Sequence, residues 1–282
     1  MNTQTLLLDS LNARRDKYKA ELKNCRLEFS EEAVHDFRVA TRRLLSFLDL
    51  LRTVMKDPGI KKIRRTLKDQ LDNLDELRDT QVLLADISEM IHETPALHPF
   101  QEHLQHKEKK LLRAARKEIK SLKIADLSKR IQKLHKKVES IKQIDLELSI
   151  FSAVDEAFAL VNQRYTQIDP NQPATIHRVR IAFKKFRYMI EAIFPILENF
   201  PSDQLKKMHE YQTAMGDIQD MEVASQELAD FESLAPASYN PEPARSFYKE
   251  RHTLAVSRYI EDKGEVFTFW RSAPDQTYPQ EK

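Results

Sequence analysis

Val34-His-Asp-Phe-Arg-Val-Ala-Thr-Arg-Arg-Leu-Leu-Ser-Phe47 returns 142 residues later as Ile176-His-Arg-Val-Arg-Ile-Ala-Phe-Lys-Lys-Phe-Arg-Tyr-Met189. His35 aligns with His177, Arg38 with Arg180, Arg42 with Lys184 and Arg43 with Lys185. A second match follows in the same order: Leu74-Asp-Glu-Leu-Arg-Asp-Thr-Gln-Val82 pairs with Met215-Gly-Asp-Ile-Gln-Asp-Met-Glu-Val223 at an offset of 141. Two matches in one order at nearly one offset read as an internal duplication, with about 140 residues in each half. The halves are expected at about 3–142 and 146–270.

Both copies carry helical periodicity. At about 100° per residue, His35, Arg38, Arg42, Ser46 and Asp49 share one face. Ala33, Phe37, Leu44, Leu48 and Leu51 lie opposite, as a stripe for a bundle core. The second copy puts His177, Arg180, Lys184, Tyr188 and Glu191 on the polar face, against Val179, Phe186, Ile190 and Ile193. Arg187 extends its basic face, while Arg43 and Lys185 take the flanks.

The rest of the chain agrees. Only three glycines occur in 282 residues, too few for the turns of a dinucleotide-binding sheet, a phosphate loop or a β-barrel. The expected fold is all-α. Proline supplies most of the punctuation, and the periodic segments read as helices over 3–25, 31–55, 60–91, 100–142 (interrupted near Ile124), 146–168, 175–197, 202–234 and 244–262. Ser30 and Thr175 are expected N-caps. Pro195 falls in the last turns of its helix, and the end is expected to be irregular around Trp270.

Net charge is only +2, yet the charge is segregated: residues 102–142 carry 14 Lys and Arg against 5 Asp and Glu. Cys25 is the only cysteine, so no intrachain disulfide forms. The first residues lack the basic stretch of a secretory signal, and no apolar run approaches the ~20 residues that span a bilayer. A cytoplasmic protein that does not enter membranes is expected.

Each signature helix thus presents cations one turn apart. Such a rail suits phosphate oxygens, which accept charge-assisted hydrogen bonds, bidentately from Arg. A regular ladder suits a repeating polyanion better than a single phosphate ester. Lys61, Arg64, Arg65 and Lys68 share a face of the third helix and extend the set. Lys206 and Lys207 are the thinner equivalent in the second half, so an asymmetric site is expected. Single basic helices are usually solvated and closed by internal pairs, here Arg38 or Arg42 with Asp49; recurrence in both halves argues against that. A metal at His35 or His177 finds no supporting carboxylate pattern. His98, His103 and His106 read as a polar face rather than a zinc site. Asp79 and Asp220, at matched positions, read as partners that fix a basic side chain. The Lys107–Lys137 stretch is either a solvated face or a widening of the polyanion surface.

The two His-x-x-Arg-x-x-x-basic-basic helices and their downstream Asp motifs resemble the signature of the CHAD family, the conserved histidine α-helical domain, over about Thr3 to Trp270. The resemblance implies two four-helix bundles related by a pseudo-twofold axis, with a basic channel or groove between them. It implies binding of inorganic polyphosphate and recruitment to polyphosphate granules. By motif, the implied contacts are Arg38, Arg42 and Arg43, and Arg180, Lys184, Lys185 and Arg187; the role of His35 and His177 is less defined. Leu45 stands where a basic residue would match Arg187, and Gln219 where one would match Arg78. The Glu-x-Glu-x-Lys motif of the triphosphate-tunnel domain found in some members is absent, as in a stand-alone binding form.

The expected function is therefore non-enzymatic polyphosphate binding, with no catalytic residue, metal or cofactor. RNA or an inositol polyphosphate is the alternative ligand, although only Tyr188 offers a ring for base stacking beside the rails. A metal-dependent polyphosphatase is the third reading, with Asp79 and Asp220 as its carboxylates.

Overall fold

Every proline-bounded periodic run is a helix in the computed structural model, which describes residues 2–141, 143–197 and 199–272. Lys142, the expected end of the basic segments, lies outside the described residues. In order the helices are α1 (Thr3–Leu27), α2 (Glu31–Val54), α3 (Pro58–Met90), α4 (His98–Ser121), α5 (Ile124–Glu139), α6 (Gln143–Tyr165), α7 (Pro173–Ile193), α8 (Gln204–Glu232) and α9 (Glu242–Asp262). Short 3₁₀ turns cover Pro95–Leu97, Phe194–Ile196 and Lys263–Thr268. No strand occurs among the described residues, and no helix among them is long and apolar enough to cross a membrane.

Local chemistry explains the boundaries. Ser30 caps α2 as expected, its hydroxyl accepting from the Ala33 amide at 3.1 Å. Asp57 caps α3 by accepting from Gly59 N at 2.5 Å. A Cβ on Gly59 would sit 2.6 Å from that carboxylate oxygen, so a larger residue there would make the Asp57 side chain shift. Thr175 is not the N-cap of α7. The helix begins two residues earlier at Pro173, whose fixed φ suits a first turn, and the Thr175 hydroxyl instead accepts from Asp169 N at 3.0 Å. Pro195 likewise ends α7 at Ile193 and sits in a 3₁₀ turn, because it cannot donate to the helical ladder.

α1 packs on α2, α2 on α3 and α3 on α4; α6, α7, α8 and α9 repeat that order. The fourth arm of the first half breaks at Leu122–Lys123 into α4 and α5, and both pieces pack against α1 and α3. Arg26 holds the break, donating to the Ile119 carbonyl at 3.1 Å and to that of Leu122. In the second half Phe269 and Trp270 close the bundle instead. Trp270 is buried against Phe186 and donates its indole N–H to Asp155 at 2.7 Å, so the irregular segment around Trp270 is anchored in the core.

α2 meets α7 and α3 meets α8, each helix facing its own counterpart, as a pseudo-twofold axis requires. One apolar core runs through both halves from Leu7 to Trp270. A second cluster joins the far ends of α3, α4, α8 and α9 through Leu83, Ile87, Phe100, Leu104, Met221, Leu228, Phe231 and Tyr248. Each fully buried Leu or Phe contributes about 1.5–3 kcal/mol of transfer free energy. The two halves are therefore welded along two seams.

Candidate anion-binding cavity

α2 and α7 pack on each other, and between them Arg42 and Lys184 are near enough to repel one another. The aligned flank positions are arranged alike: Arg43 lines one groove with Glu191, and Lys185 is near enough to act on Asp49. Around Arg42 and Lys184, α2, α3, α7 and α8 enclose a cavity of about 490 Å³. Its lining arrives in pairs from the two halves: His35 and His177, Arg38 and Arg180, Arg42 and Lys184, Asp79 and Asp220, Val82 and Val223. Arg78 faces Gln219 as the unlike pair, and Asp75 also lines the wall. The cations stand on the polar faces opposite the core stripes, so packing leaves them pointing into the shared space.

The symmetry breaks most sharply between Arg38 and Arg180. Arg38 is 4 % exposed and locked, donating to the Leu71 carbonyl at 3.0 Å and to Asp75 at 2.7 Å. At the place of Asp75 the second half has Gly216, and at the place of Leu71 it has Gln212. The Gln212 side chain accepts from Arg187 Nε at 2.9 Å, and the brace that has no counterpart in the second half is the Asp75 carboxylate. Arg180 is left without its brace: its Nε is buried with no hydrogen-bond partner among the described residues. His177 Nδ1 and Gln219 Oε1, in the same cavity, are orphaned too. A buried donor without an acceptor costs about 1–3 kcal/mol, which a bound anion would return.

Electrostatics follow the crowding. Burial pushes the Lys184 ammonium down to about 7, and the Arg42 and Arg180 guanidiniums push the same way. The His35 imidazole is lowered by burial and then by Arg78, which favours its neutral form. The Asp79 carboxyl is raised by burial and then by Asp75; that of Asp220 is raised by burial, with Arg180 opposing. Neither Asp79 nor Asp220 forms an ion pair among the described residues, in contrast to the expected pairing. Asp75 has taken Arg38, and the pairing read for Asp79 falls one helical turn earlier.

The remaining expected site residues lie elsewhere. Arg187 is 8 % exposed and committed to Glu191 at 2.6 Å, to Gln212 and to the Tyr188 ring at 4.7 Å. Arg64 ties α3 to α2 by pairing with Asp49 at 2.5 Å, which displaces the expected Asp49 pairing with Arg38 or Arg42. Lys61 and Arg65 are exposed on α3, and Lys68 pairs with Asp72 at 2.5 Å. Lys206 and Lys207 pair within α8 with Glu210 at 3.7 Å and Asp203 at 2.8 Å. Arg43 and Lys185 stay exposed on the flanks. In the basic stretch, Lys107 bridges Glu76 at 3.0 Å and Glu227 at 2.8 Å, Lys137 pairs with Asp57, and most other cations are exposed. His103 packs on the Phe231 ring at 5.1 Å. Among the described residues, no group of three or more His, Cys, Asp or Glu is placed to hold a metal.

Asp75 is the cavity-lining position that motif matching passes over. Its signal was present as the mismatch of Asp75 with Gly216 inside an otherwise aligned repeat.

Comparison with known structures agrees with this architecture. The crystal structure of the CHAD domain from the plant Ricinus communis is similar with a TM-score of 0.66 and 18% identity, over 99% of this chain and 94% of that one. PptA from Streptomyces chartreusis is similar with a TM-score of 0.59 and 15% identity, over 94% of this chain and 100% of that one. At such identities the likeness establishes the fold. Comparison with curated proteins gives no match. The family model of the CHAD domain matches residues 9–229. With the duplicated histidine helices packed face to face across that span, this chain belongs to the CHAD family.

Proposed function

We propose that the protein binds inorganic polyphosphate without turning it over, in the cavity between the two signature helices. The CHAD family is known to bind polyphosphate. The observation that carries the reading for this chain is Arg180: a guanidinium with a buried, unpartnered Nε, beside Arg42 and Lys184, lacks only an anion. Arg42, Arg78, Arg180 and Lys184 supply the charge, while Arg38 is held by Asp75 and frames the site. His177 Nδ1 adds a donor in whichever tautomer carries the proton there. Among the described residues no aromatic ring other than the two histidines lines the cavity, and Tyr188 is covered by Arg187. That disfavours nucleic acid, whose bases need stacking partners.

The test is calorimetric titration with long-chain polyphosphate at several salt concentrations, beside single-stranded RNA of matched phosphate count. Polyphosphate should bind tightly, with affinity falling steeply with salt as counterions are released. Reversing Arg42 and Lys184 together to Glu should abolish binding while helicity persists, since both lie away from the core stripes. Normal binding by that folded variant would overturn the placement. Equal affinity for RNA would make the cavity a general polyanion site. Incubation with polyphosphate and Mg²⁺ should release no phosphate. In cells that accumulate polyphosphate, the tagged native chain should colocalise with granules and the double variant should not.

A further inference from the structure

A second cavity of about 580 Å³ opens between α1 and α2, and it shares His35 and Val39 with the central one. Arg14 and Lys17 of α1 and Arg43 of α2 line it, with Asp36 and Glu191 as its acids. Arg14 is the informative side chain. Its guanidinium lies 4.9 Å over the Phe47 ring, touches only the Ser10 carbonyl at 3.5 Å, and forms no ion pair among the described residues. Glu191 is near enough to act on it but accepts from Arg187 at 2.6 Å. Burial is the largest influence on Arg14 and works against its charge. Arg43 has no ion pair among the described residues either. Lys17 pairs with Glu21 at 2.6 Å yet is 65% exposed and free to turn. The charge is one-sided in the sequence as well: α1 carries Arg14, Arg15, Lys17, Lys19, Lys23 and Arg26, whereas its counterpart α6 carries Arg164 alone.

We propose that this groove between α1 and α2 is a second phosphate subsite, which takes the part of a polyphosphate chain that leaves the central cavity past His35 toward Arg43 and Arg14. The inference rests on the polyphosphate reading of the central cavity. It adds a direction: the chain runs over the first half, where α1 is basic, and not over α6. A ligand confined to the central cavity does not reach Arg14, so chain length separates the two sites.

The probes are tripolyphosphate and a long-chain inorganic polyphosphate, each titrated at several salt concentrations. Arg14→Met keeps the aliphatic stem on Phe47 and removes the charge. It should weaken the long chain by about 5- to 10-fold and lower its salt slope by about one, as expected for one lost phosphate contact, while tripolyphosphate binding stays within about twofold. Arg43→Gln, an exposed change in the same groove, should show the same selectivity, and it carries the test should Arg14→Met fail to fold. Long-chain affinity equal to the native protein's, in a folded variant, overturns the subsite. So does an equal loss for both probes, since Arg14 would then act through the central cavity. A native protein that binds neither probe overturns the central reading and the subsite together.

Discussion

Replacing Gly216 with Asp should switch off the anion seat while stabilising the fold. A Cβ at this position lies 3.8 Å from both Nε and Nη2 of Arg180, an ordinary van der Waals approach, so the side chain has room. The carboxylate then stands toward Arg180 as Asp75 stands toward Arg38, where the ion pair measures 2.7 Å. Satisfying the buried Nε recovers part of the ~1–3 kcal/mol that an orphaned donor costs. Removing glycine from a helix interior adds a few tenths of a kcal/mol. A stability gain of about 1–2 kcal/mol is expected, a rise of several degrees in Tm for a chain of this size. Binding moves the other way. A phosphate loses one charge-assisted hydrogen bond, worth about 1.5–3 kcal/mol, and meets a new negative charge, so affinity should fall by about 10- to 150-fold. Thermal melting and polyphosphate titration on one sample read both effects, with Gly216→Ala as the control that fills space without charge. Native affinity together with a raised Tm would refute the assignment of Arg180 as the seat. The same substitution with both Tm and affinity lowered would point to a clash of the carboxylate beyond the Cβ, and would refute the expected pairing with Arg180.

Three further expectations are independent of that residue. The Lys184 ammonium is pushed down to about 7 in the fold, from the 10.5 usual for a lysine. The unfolded chain therefore holds more protons between those values, and stability of the free protein should rise with pH across that window. Lys184→Met should raise stability by ~1–3 kcal/mol at pH 6, with a gain that shrinks toward pH 10, as urea titrations at the two pH values would measure. Phosphate should pull the Lys184 proton back, so binding near pH 8 should take up protons, seen as a dependence of calorimetric heat on buffer ionisation enthalpy. Asp79 and Asp220, raised in the same cavity, should add to that uptake only at acid pH. Trp270→Ala should cost about 3–5 kcal/mol in urea unfolding, because it empties a fully buried ring site and removes the Asp155 hydrogen bond, while the folded fraction binds as before.

Sequence carried the architecture further than the site. The repeat of His35 at His177 and the paucity of glycine led to a duplicated helical protein, because period and punctuation are local properties. The errors at Thr175 and Pro195 amount to about one turn or less and concern caps, where neighbouring carbonyls and proline geometry decide. The cavity depends on what stands opposite each rail, which a single helix cannot report. Arg187 shares the face of Lys184 yet is buried by Glu191 and Gln212. Lys61, Arg64, Arg65 and Lys68 share a face of α3, but the cavity is lined from Asp75 to Val82 of that helix. From Lys68 to Asp75 the chain climbs about 10 Å along the helix axis, and charge on the right face stands at the wrong height. The difference between Arg38 and Arg180 was written in Asp75 and Gly216, but only tertiary pairing gives that mismatch a meaning.

The two hydrophobic seams that weld the halves also shape how a polymer is counted. A receptor of fixed span does not close around its ligand, so each stretch of a homopolymer that fits offers an equivalent register. A chain with n such registers gains about RT ln n in apparent affinity with no new contact, about 2.7 kcal/mol for a hundred of them. Affinity per chain then climbs with length by statistics alone, while affinity per phosphate stays level. Several protein copies should load onto one long chain like beads, spaced by the footprint of the rigid cavity and its groove.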